Sequence, residues 1–86
     1  MATGTIKSVK EIYRNITTIT VPSNGNVKIG DKNDSRIFLS VIVEAPATYA
    51  IIYYDTDYGY YVNLFNVGST SKITSGSYTI EVNYYK

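Results

Sequence analysis

Asp55 and Asp57 stand two residues apart in "DTDYG", the nearest this chain comes to a pair of catalytic carboxylates. A glycosidase needs two such groups at a set separation, one to protonate the leaving oxygen and one to attack or to activate water. Aspartates in a turn also serve the backbone, accepting main-chain hydrogen bonds, and that is the role expected here. "DKNDS", residues 31–35, places oxygen-bearing side chains at alternate positions as a calcium loop does. It lacks the glycine and the distal glutamate that such a loop requires, so it reads as a solvated loop. "NIT" at residues 15–17 matches the N-glycosylation acceptor, which matters only in a secretory setting. "GSTSKITSGS", residues 68–77, has the small residues of a phosphate loop without its lysine placement or the helix that follows, and reads as a flexible connector. The chain has no histidine and no cysteine. That excludes the Ser-His-Asp and Cys-His arrangements and thiolate or imidazole metal sites. The expectation is a protein that is not an enzyme, with no catalytic residue, no metal ligand and no cofactor.

What remains is aromatic chemistry. Six of the ten tyrosines fall in "YAIIYYDTDYGYYVNLFNV", residues 49–67. Tyrosine rings stack on sugars and bases, and they are enriched at protein interfaces because one end is apolar and the other hydrogen-bonds. Affinity for nucleic acid rests on neutralising phosphates. A net charge of +1, from eight basic and seven acidic residues, points away from that partner. A sugar remains open, with Tyr53, Tyr58 and Tyr60 as candidate ligand-binding rings and Tyr54 or Tyr61 as further members of a stacking platform.

The elements that position these rings read as strands. Tyr, Val, Ile and Thr dominate, and they suit a pleated surface. No window shows apolar residues at helical spacing. Strand-like runs cover residues 11–22, 27–29, 36–46, 48–54, 60–67 and 78–85, separated by "SNGN", "GDKNDS", "DTDYG" and the serine-rich loop. Short strands joined by short loops pair mostly antiparallel. The expected fold is all-β, a small antiparallel β-sandwich, jelly-roll-like or Ig-like, of about five to seven strands with no helix. One domain spans residues 1–86, with 1–10 read as a flexible lead-in. No apolar stretch approaches the roughly 20 residues that cross a bilayer. The opening "MATGTIKSVK" lacks the apolar block of about 7–15 residues typical of a signal peptide. Neither membrane insertion nor export by a signal of its own is expected.

Alternation assigns faces. In 36–44, Ile37, Leu39, Val41 and Val43 oppose Arg36, Phe38, Ser40, Ile42 and Glu44. In 49–54, Tyr49, Ile51 and Tyr53 oppose Ala50, Ile52 and Tyr54. In 60–65, Tyr60, Val62 and Leu64 oppose Tyr61, Asn63 and Phe65. Neither of the last two strands has a wholly polar side, and a sandwich has a single core. One apolar set must therefore face something else, and which set does so is open at this level. Phe38, Ile42, Ile52, Tyr54, Tyr61, Phe65 and Tyr85 are the candidate interface. A chain this small has a thin stability margin, and without cysteine or metal ligands self-association is the support left to it. A homo-oligomer is expected.

The order of parts resembles the distal receptor-binding domains of tailed-phage tail fibres and tail tips. The resemblance lies in "ITTITVPSNGNVKIG", "SRIFLSVIVEAP", "YGYYVNLFNVGSTSKITSG" and "YTIEVNYYK". The third matches an aromatic strand ending in Asn and a small-residue loop, and the fourth a closing strand with an aromatic pair. It implies a β-sandwich that trimerises around a three-fold axis and binds a host-surface glycan or protein, on a virion or outside the cell. The chain differs from such tips in having no tryptophan.

Overall fold

The computed structural model describes residues 11–86; the expected lead-in at 1–10 lies outside the described residues. Six strands form: β1 (Ile12–Thr20), β2 (Val27–Gly30), β3 (Ile37–Val43), β4 (Thr48–Asp55), β5 (Gly59–Asn66) and β6 (Ser77–Tyr85). They make two three-stranded sheets, ordered β1-β6-β3 and β2-β5-β4, with every pairing antiparallel. No helix occurs among the described residues. The fold is a small all-β sandwich, as the alternation and turn signals predict.

Turn chemistry decides which strands share a sheet. Pro22 closes β1 because it cannot donate to a ladder. The expected turn at "SNGN" then forms, with Gly25 N donating to Pro22 O at 2.9 Å and Gly25 at φ 73°. It carries the chain out of the first sheet and into the second. Asp55 builds the β4–β5 hairpin: its Oδ1 accepts from the backbone N of Asp57 at 2.8 Å and of Tyr58 at 3.2 Å. The turn role expected of these aspartates falls to Asp55.

Between the sheets lie Val21, Val27, Val41, Val43, Val62, Leu64, Ile80 and Val82. Val62, Leu64 and Ile80 are fully buried; burying such a side chain stabilises by about 1.5–3 kcal/mol. The loop at 68–77 departs from the expected flexible connector. Ile73 packs against this core, its N donates to Leu64 O at 2.8 Å, and Lys72 bridges to Phe65. A lone apolar residue pins an otherwise polar loop.

One expected face assignment is overturned. The β3–β6 register runs Phe38↔Tyr84, Ser40↔Asn83, Val41↔Val82. Leu39 is an extra residue without a partner, and an extra residue reverses the alternation on one side of itself. Phe38 therefore turns inward with Val41, while Ile37 and Ile42 stay exposed. Phe38 becomes a link in a row of rings. Tyr54 meets Tyr60 at 4.6 Å, Tyr60 meets Phe38 at 4.9 Å, Phe38 meets Tyr84 at 6.3 Å and Tyr84 meets Tyr13 at 5.8 Å, centroid to centroid. The row joins both sheets at one end of the sandwich. It takes up two of the six crowded tyrosines, Tyr54 and Tyr60.

That end is locked by charge. The Arg36 guanidinium lies 4.8 Å above the Phe38 ring and 5.0 Å above Tyr84, a favourable cation–π arrangement. It also holds Asp34, donating from Nε to Oδ1 at 3.0 Å and from Nη2 to Oδ2 at 2.6 Å, and a further bond runs to Ile29 O at 3.1 Å. The side chains are 28% and 15% exposed, so the pair is only partly screened. The Arg36 hydrogen bond holds the Asp34 carboxyl below its ordinary range, against the opposing effect of burial. A depressed folded pKa stabilises above the unfolded value, about 3.9, and that stability is lost as pH falls through the folded value. Asp34→Asn should cost about 2 kcal/mol at neutral pH, the scale of charged hydrogen bonds. It should also flatten the loss of stability below about pH 4. Urea melts of both proteins at neutral and acid pH check this; parallel pH profiles would refute it.

Candidate functional site

The hairpin of β4 and β5 fixes what the second sheet shows to solvent. Asp55↔Gly59 sets the register, which then places Tyr53 opposite Tyr61, Ile51 opposite Asn63 and Tyr49 opposite Phe65. Val62 and Leu64 are buried, and Ala50 and Ile52 pack on the core with them. The alternate residues of both strands must then point outward. Their rings pair across the strands: Tyr53 stacks on Tyr61 with centroids 5.7 Å apart and planes 19° from parallel, and Tyr49 stacks on Phe65 at 5.4 Å and 19°. Cross-strand aromatic pairs of this kind contribute roughly 0.2–1 kcal/mol each to a sheet. They also make an outer face of flat rings on either side of Ile51 and Asn63.

Polar groups border this face. Asn63 Nδ2 donates to Gly25 O at 2.9 Å and to Asn26 Oδ1 at 2.8 Å. Lys72 Nζ donates to the same Asn26 oxygen at 2.9 Å. Asn24 Oδ1 accepts from the backbone N of Asn26 at 2.9 Å. Beyond the Tyr53–Tyr61 pair the surface dips into a cleft of about 290 Å³ lined by Asn24, Asn26, Tyr53, Asp55, Tyr58 and Tyr61. The first turn (23–26) and the β4–β5 turn form its two walls. Asn24 and Asn26, which line the cleft, use their side-chain oxygens internally, whereas Asn63 spends its amide N–H on Gly25 and Asn26. Asp55 spends Oδ1 on its own turn and keeps Oδ2. Flat rings beside amide donors and a carboxylate acceptor suit a polyhydroxylated ring, which offers an apolar face and a rim of hydroxyls.

The candidate residues separate into groups. Tyr61, Phe65 and Tyr53 meet on the outer face of the second sheet, and Tyr58 joins them at the cleft. Ile42 and Tyr85 lie on the outer face of the first sheet, with β3 and β6 respectively. Phe38 and Ile52 pack against the core, so the expected common surface running through Phe38, Ile42, Ile52, Tyr54, Tyr61 and Phe65 does not exist as one patch. Tyr54 and Tyr60 belong to the row of rings; Tyr54, at its end, is 47% exposed and donates its hydroxyl to Lys32 O at 3.0 Å. Asn24, Asn26, Asn63 and Lys72 were not anticipated. Asn63 carries a usable signal, as the polar member of an otherwise apolar strand face. The calcium-like loop is occupied with the protein's own contacts: Asp31 pairs with Lys28 at 2.9 Å, and Asp34 with Arg36. No cluster of potential metal ligands occurs among the described residues.

No protein-family model, no curated protein and no solved structure matches the chain. Among the described residues no helix is long and apolar enough to cross a membrane.

Proposed function

We propose that this protein is a non-enzymatic binding module whose working surface is the outer aromatic face of the β2-β5-β4 sheet, and whose ligand is a saccharide held at the cleft beside Tyr53 and Tyr61. The observation that carries this reading is the stacked Tyr53–Tyr61 pair bordered by Asn24, Asn26 and Asp55. The likeness to fibre-tip domains adds a host-surface glycan as the source of that saccharide and a place on a virion or outside the cell.

A second reading has the same face cover another copy of the chain. It is favoured by Tyr49 and Ile51, which are 40% and 49% exposed at its centre, because exposed apolar groups in one patch mark contacts. One pair of measurements separates the two. Under the first reading, Tyr61→Ala weakens binding on a glycan array by about tenfold, equivalent to about 1.4 kcal/mol, and leaves the sedimentation mass unchanged. Under the second, Tyr61→Asp lowers that mass and no glycan binds. Unaltered mass and no glycan binding by the parent protein would defeat both.

A further inference from the structure

Among the described residues, β1 is the longest border strand and has no bulge. It pairs with β6 along nine consecutive residues without a bulge, and it forms one border of its sheet. Natural proteins blunt such borders with proline, lysine, bulges or covering loops. The other borders show such devices: β2 is short and irregular, β3 carries the Leu39 bulge, and β4 is drawn against β3 at the closed flank. Ile12–Thr20 contains no proline, lysine or bulge, and its one charged side chain, Arg14, is paired with Glu81. Even its inward-facing Asn15 and Thr17 are exposed, because the second sheet does not extend beneath them.

The direction of its free backbone groups follows from one bond. Val21 N donates to Gly76 O at 2.9 Å, so residue 21 faces β6. Alternation then turns the odd residues of β1 to β6 and the even ones, Ile12 to Thr20, to the open border. We infer that two copies join through this border, β1 against β1 in antiparallel register about a two-fold axis at Ile16, forming a continuous six-stranded sheet. The inference is independent of the saccharide reading and goes beyond it.

The occupant is a second copy because β1 is complementary to itself. In the register centred on Ile16 the whole strand overlaps, and even residues meet even residues, so their N–H and C=O groups exchange bonds. Ile16 meets Ile16, Tyr13 meets Ile19 and Asn15 meets Thr17, all favourable cross-strand partners. Arg14 meets Thr18, and its charge is already answered by Glu81 at 3.6 Å. Sliding the pairing to centre on Arg14 would set like charges opposite one another. A two-fold contact of this kind closes on itself.

Analytical ultracentrifugation at micromolar concentration tests the pairing. The parent protein should sediment with the mass of two chains. Ile16→Lys should sediment as one chain with an unchanged circular-dichroism spectrum, because Ile16 is half exposed and the substitution sets two cations together on the axis. Ile42→Lys, an equally exposed change at the far border, should remain paired. In this cysteine-free chain, Ile16→Cys should cross-link on mild oxidation, since hydrogen-bonded partners lie about 5.5 Å apart, within disulfide range. A parent protein that stays a single chain, an Ile16→Lys variant that stays paired, or an Ile16→Cys variant that does not cross-link each overturns the proposal.

Discussion

Gly59→Ala should cost about 3 kcal/mol or more and lower the melting temperature by roughly 12–24 °C, at about 4–8 °C per kcal/mol for a domain of this size. Two effects add. Gly59 sits at φ 118°, a region that side-chain-bearing residues rarely enter and that costs about 1–3 kcal/mol when forced. A methyl group there would also collide with the carbonyl of Gly30 and lie 2.6 Å from Lys32 N. Those are backbone atoms, which cannot swing aside as a side-chain tip can. The hairpin tip and the loop after β2 would have to part, and the Tyr54 hydroxyl bond to Lys32 O would stretch with them. Gly68 provides the control. It too has positive φ, at 84°, but nothing lies within 4 Å of an added methyl. Gly68→Ala should therefore cost only about 1 kcal/mol, the lower end of backbone strain alone. Thermal melts of both variants test this, and equal losses would show that the close approach at Gly59 is not what matters.

Neighbouring residues on β5 should give opposite outcomes. Leu64 is fully buried at the centre of the core, so Leu64→Ala removes burial and leaves a cavity. Such changes cost about 2–5 kcal/mol, a large share of the roughly 5–15 kcal/mol that stabilises a typical domain. Phe65 points outward and stacks on Tyr49. Phe65→Ala should cost about 1 kcal/mol or less, the upper range for a cross-strand pair. Urea unfolding of the two variants checks the contrast. A larger loss at Phe65 than at Leu64 would mean that β5 is assigned to the wrong face.

The fold class was legible because alternation survives in most strands. β6 shows it most plainly, with Tyr78, Ile80, Val82 and Tyr84 inward against Thr79, Glu81 and Asn83. The faces of β4 were harder, since both of its sides are apolar. Yet the key lay in its partner: the tight turn sets Asp55 against Gly59, which sets Ile51 against Asn63 and turns that row to solvent. The Leu39 bulge had no such key. No glycine or proline marks it, and the row of rings it completes exists only once two sheets face each other. The same holds for the cleft, whose asparagines come from a turn distant in sequence and meet the tyrosines only through β2–β5 pairing. Asp34 reads as a loop charge and Arg36 as the charged end of a strand face, and only the packing of Phe38 and Tyr84 beside the guanidinium gives the pair its role.

The bulge has one more effect, on growth. A border with an unmatched residue presents its amides out of step, so a third chain arriving at β3 finds no regular template. Of the two borders of the first sheet, β1 alone keeps a regular register along its length. One leucine without a partner thereby gives the β3 border one of the devices by which natural sheets discourage further strand addition.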